Sequence, residues 1–162
     1  MDNPIDPAVP PWTPSPSAKA KNAVQRAVTA LLDELAPERV LTRGEQLRAP
    51  IEQHRTPTGC VLQAATAAVS VSWFAEAGTD APLGELHVVV WRGVVSRRGS
   101  PARREGATIV RRLVLHPIER PSDDCAWRAT SGTEYDTAAL AAYCIGLLEE
   151  QMHADRPTDA AG

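Results

Sequence analysis

The sequence predicts an α+β fold, a two-layer sandwich in which an N-terminal helix and a C-terminal helix lie against an antiparallel sheet of three to four strands in meander order. Three observations predict it. Apolar residues recur at helical spacing near both ends, and β-branched residues alternate through the middle. The loops between the alternating runs are too short for the crossover of about a dozen residues that parallel strands require.

Taken in order, residues 1–17 hold six prolines, at positions 4, 7, 10, 11, 14 and 16. Proline fixes φ and removes an amide donor, so this segment reads as an extended or disordered tail, and the single domain runs from 18 to 153. Val24, Val28, Leu31, Leu32 and Leu35 form the stripe of an amphipathic helix that Pro37 stops. Residues 38–58 mix charge with Gly44, Pro50 and Pro57 and read as a tethered connector holding at most one helical turn.

Residues 60–74 end in Val69, Val71 and Trp73, alternating with Ser70 and Ser72 as a half-buried strand does; the alanine-rich part at 63–68 suits either strand or helix. A Gly/Pro loop at 78–84 precedes a second strand at 86–96. The basic connector 97–105 then leads to a third at 107–116. A brief strand at 125–130 and a turn at Ser131-Gly132 come next. The last helix carries Leu140, Cys144, Leu147, Leu148 and Met152 on one stripe, with Thr133 or Asp136 as its N-cap, and residues 154–162 form a second disordered tail.

A length of 162 residues fits one domain and one core, and shares of 43% apolar and 23% charged residues are those of a soluble globular chain. Three scattered cysteines, Cys60, Cys125 and Cys144, lack CxxC spacing, which argues against a zinc ribbon or a disulfide framework and for reduced thiols. No basic leader opens the sequence, and no apolar run reaches the roughly 18–20 residues of a membrane span. A cytoplasmic location is the expectation, with no membrane partner and no cofactor.

If the basic connector is a symmetric hairpin loop, Leu86, Val88, Val90 and Val94 fall opposite Pro117, Leu115, Leu113 and Ile109, and that apolar face meets the helices. Arg92 then faces Arg111 on this side, at the solvated end of the sandwich or lining an anion-binding mouth. The other face places His87, Val89, Trp91 and Val95 opposite His116, Val114, Arg112 and Thr108. With Phe74 and Val110 it forms an outward patch of Phe74, Val89, Trp91, Val95, Val110 and Val114. Such a patch marks an interface unless the connector 38–58 covers it.

Charge is uneven along the chain. Residues 86–128 carry nine arginines against four carboxylates, a net +5, whereas residues 129–162 carry one arginine against six, a net −5. Arg92, Arg97, Arg98, Arg103, Arg104, Arg111 and Arg112 could neutralise phosphates, so nucleic-acid binding through the hairpin 97–104 is one alternative; the overall charge of −3 weighs against it. Arg97-Arg98-Gly99-Ser100 also resembles a basophilic phosphorylation site, a short string that chance supplies often.

His87 and His116, facing each other, could share a metal only with a third ligand, and no HxH, HExxH or CxxC supplies one, so no metal site is assigned. Cys60 with His54, or His87 alone, is the enzymatic alternative; no catalytic residue is assigned. Trp12 lies in a polyproline-like segment, where a tryptophan serves as a docking element for an aromatic groove or folds back on its own domain. The reading that follows is a small non-enzymatic interaction module, adaptor, chaperone-like or immunity-type. It binds a protein partner or a second copy of itself through the outer sheet face and the Pro/Trp tail.

Overall fold

The structure, a computed structural model, describes residues 17–36, 51–75, 81–95, 106–121 and 125–154. The N-terminal helix α1 spans Ala18–Glu34, and the C-terminal helix α2 spans Thr137–Ala154. Between them run β1 (Glu52–Thr56), β2 (Gly59–Gln63), β3 (Ala67–Phe74), β4 (Glu85–Arg92), β5 (Thr108–Glu119), β6 (Cys125–Ala129) and β7 (Glu134–Tyr135). They form one antiparallel sheet in the order β1-β2-β3-β4-β5-β6-β7. The α+β class and the meander stand as expected. The sheet has seven strands, not three or four.

The extra strands come from segments whose sequence hides them. Residues 52–56, expected to lie in an irregular connector, form an edge strand, which buries little and so needs no apolar alternation. Residues 60–74 divide into β2 and β3 at a tight turn closed by the Ala64 N–H donating to the Ala67 carbonyl at 2.8 Å, which rules out helix at 63–68. β5 continues through Pro117 to Glu119. Pro117 pairs with Trp127 of β6, and β4 begins at Glu85, so Pro117 has no neighbour on the β4 side to miss its amide.

Both helices pack on one face. The main core joins Val24, Val28, Leu31, Leu32 and Leu35 of the first helical segment and Leu140, Cys144, Leu147 and Leu148 of α2 to Leu62, Val69, Val71, Leu86, Val88, Leu115 and Trp127 of the sheet. The expected stripes are therefore the buried ones, apart from Met152, which is half-buried at the rim. Ser17 caps α1 by accepting from the Ala20 N–H at 3.1 Å, and Asp136 caps α2 by accepting from the Ala139 N–H at 2.6 Å. Edge strand β1 is tied to the end of α1: Gln53 Nε2 donates to the Leu35 carbonyl at 2.9 Å, and Arg55 pairs with Asp33 at 2.6 Å. Trp73 and Trp127 meet edge to face, ring centroids 5.8 Å apart, reaching toward each other across β4 and β5.

The register of β4 on β5 is Leu86 with Leu115, Val88 with Leu113 and Val90 with Arg111. This lies two residues from the symmetric-loop expectation. Because side chains alternate with period two, a shift of two leaves every residue on its expected face. A bulge between Val90 and Trp91 then sets Trp91 opposite Ile109 and Arg92 opposite Thr108, so Ile109 moves off the helix face and the expected Arg92–Arg111 opposition does not form.

Candidate interaction surface

On the face away from the helices, cross-strand pairs align Val61 with Ser70, Ala68 with Trp91, Ser70 with Val89 and Ser72 with His87. The sequence places these side chains together because all occupy the alternate positions of β2, β3 and β4. The expected apolar patch divides into two unlike halves here.

In one half, Val89, Trp91 and Val95 are buried with Val61, Ala68 and Ala107 in a second small core. They were expected to face outward, and they do lie on that side, but the chain itself closes over them. Gly93, at φ +102°, turns the backbone after β4 in a conformation that strains any side chain, and a Cβ there would also crowd the Ala107 Cα at 3.1 Å. Gln63 holds the turn: its Nε2 donates to the Gly93 and Ala67 carbonyls, each at 3.1 Å, and its Oε1 accepts from the Val95 N–H at 3.0 Å. The Trp91 indole N–H, which burial would otherwise strand, donates to Ser70 Oγ at 3.0 Å.

The rest of this face is open at its two ends, with Phe74 beside Glu85 at one and Ile109 opposite Trp91 at the other. Phe74, Ile109 and Val110 are 48%, 46% and 47% exposed, and Val114 is half-buried. Phe74 stands edge to face with His87 at 4.8 Å between ring centroids, and it also walls a cleft of about 250 Å³ lined by His54, Thr58, Gly59 and Ser72. Beside it the Glu85 carboxylate lies between two imidazoles, 2.9 Å from His87 Nε2 and 3.4 Å from His116 Nε2. These hydrogen bonds hold the Glu85 carboxyl below the usual carboxylate range. The two histidines thus share a carboxylate; His87 pairs across strands with Val114 and His116 with Arg128, so the expected direct opposition of the histidines is not formed. Among the described residues no group of three ligating side chains could hold a metal ion.

Cys60 points to the helix face and is buried, and desolvation pushes its thiol up to about 12; Cys144 is raised to about 12 by the same cause. Burial favours the neutral form of a thiol so placed. Of the arginines, Arg92, Arg111 and Arg112 are exposed on β4 and β5. Arg112 shares the open face, while Arg111 lies opposite Val90 on the helix side. Arg97, Arg98, Arg103, Arg104 and Trp12 lie outside the described residues.

Reasoning from the sequence missed Ile109, which the bulge turns outward, and Gln63, whose partners lie 30 and 32 residues away. It also missed Glu85, whose position two residues before His87 on a strand is a signal that could have been used, since i and i+2 share a face. No helix among the described residues is long and apolar enough to cross a membrane. Comparison with known proteins adds no relative: no family model, no curated protein and no solved structure matches this chain.

Proposed function

We propose that this protein is a non-enzymatic interaction module, of adaptor, chaperone-like or immunity type, that binds a protein partner through the sheet face opposite its helices, with the Pro/Trp tail as a second element. One observation carries the reading. Both helices sit on one side of the sheet, and the other side presents Phe74, Ile109 and Val110 to solvent. Phe74 suits the role of an anchor, because it combines a rigid ring, a supporting histidine and an adjoining cleft able to take a partner's side chain. The partner-facing set is accordingly Phe74, Ile109, Val110 and Val114, whereas Val89, Trp91 and Val95 lie buried on the same face.

A photoreactive amino acid placed at position 74 or 110, and at Thr29 on the exposed side of α1 as control, tests the reading in the native cell. Positions 74 and 110 are expected to crosslink to one defined protein, a different chain or a second copy, and Thr29 to none. Crosslinks of equal yield from all three positions, or from none, overturn it. Phe74→Asp is expected to remove the crosslink from position 110 while changing stability by no more than about 0.5 kcal/mol, as for an exposed residue.

A further inference from the structure

β5 is longer than either neighbour. Its partner β4 reaches Thr108–Leu115, while β6 pairs only with Leu115–Glu119. Residues 108–114 therefore have a strand on one side only among the described residues, and Thr108, Ile109, Val110, Arg111 and Arg112 are all exposed. An edge of this length presents a row of unpaired backbone donors and acceptors that another extended chain can complete.

We propose that the free β5 edge, residues 108–114, binds an acidic extended peptide segment of a partner as an added strand; this rests on the protein-binding reading above and specifies where and how the partner docks. Charge selects the occupant. Arg111 projects on the helix side and Arg112 on the open side, so both surfaces of an added strand meet a guanidinium, within a region of net +5. The same pair disfavours a second copy: a two-fold antiparallel pairing centred on this segment sets Arg111 against its own equivalent, or Arg111 against Arg112, and like charges opposite each other destabilise a ladder. Ile109 and Val110 supply apolar contact, so the fitting strand carries adjacent acidic residues, one on each surface, flanked by apolar ones.

The test uses the full chain and short fluorescent peptides in which two adjacent glutamates, one for each surface of the strand, are flanked by valines, read by anisotropy. Three comparison peptides carry lysine in place of glutamate, N-methyl groups on alternate amides, or a scrambled order. The acidic peptide is expected to bind about tenfold or more tightly than the lysine peptide, the sum of two opposite-charge cross-strand contacts. N-methylation is expected to abolish binding, and amides 108–114 to gain protection from hydrogen exchange. Arg111→Glu with Arg112→Glu should reverse the preference with an unchanged melting temperature.

Binding that survives N-methylation or scrambling overturns the strand geometry. An oligonucleotide of equal charge that displaces the peptide and binds more tightly transfers the site to nucleic acid. If the crosslink from position 74 persists in the double-arginine variant, or no peptide binds while that crosslink is present, the edge proposal fails and the interaction reading stands. If the crosslink is absent as well, both fail.

Discussion

The two faces of this one sheet solve burial differently. The helix face buries its aliphatics against elements far away in sequence, α1 and α2, and its largest fully buried side chain is Trp127. The far face buries Trp91 with five small residues, drawn from β2, β3, β4, the turn after β4 and the start of β5, and a glutamine ties that turn down. Two tryptophans in one sheet are thus held by contrasting means. Trp127 sits in a deep apolar core with its indole N–H lacking an acceptor among the described residues, and Trp91 lies in a shallow cluster with its N–H satisfied by Ser70. The Trp127 N–H incurs its desolvation cost, and the surrounding apolar burial offsets it. A small cluster depends on polar ties for its shape.

The comparison can be broken at its strongest point first. Trp127→Ala is expected to destabilise the fold by about 3–5 kcal/mol, and Trp91→Ala by about 3 kcal/mol, because a shallow site collapses onto a smaller residue more easily. Urea unfolding followed by circular dichroism checks both, and a Trp91→Ala cost equal to or above that of Trp127→Ala would show that the far face carries a core of equal depth.

Gln63→Leu sharpens the contrast at the next level. It removes the tie between β2 and the turn after β4 and leaves the Val95 N–H without its acceptor, at an expected cost of about 1–3 kcal/mol. Hydrogen exchange should show faster opening of residues 93–95 while amides of α2 change little. Uniform acceleration would mean that the clamp supports the whole fold.

The smallest effect is expected at Glu85. Its folded carboxyl titrates below the unfolded value, so the stability it lends is present above the unfolded carboxylate range and is lost as pH falls through the folded value. Glu85→Gln should therefore lower the melting temperature slightly at pH 7, and the gap to the parent protein should close as the solution is acidified below about pH 4. A gap that widens on acidification would contradict the sign.

Much of this was readable in the linear chain. The stripes of Val24 to Leu35 and Leu140 to Leu148, the Asp136 cap and the alternation in β4 are local patterns with periods of 3.6 and 2, and each proves to be buried or bonded as its period requires. Edge strand β1 was hidden because Glu52, Gln53, His54 and Arg55 carry no apolar alternation. The outward patch was half legible. Its members were assigned to the correct face, since a two-residue register error preserves faces, yet their exposure was not.

By itself, then, the sequence determined the α+β class, the two amphipathic helices, and which residues of β3, β4 and β5 share a side, because all of these follow from spacing along the backbone. Only the tertiary structure decided the number of strands, the bulge that turns Ile109 outward, the closure over Trp91 and the mismatch that leaves residues 108–114 paired on one side only among the described residues. Those depend on strand length against strand length and on hydrogen bonds spanning 30 residues or more, distances over which spacing along the chain carries no information.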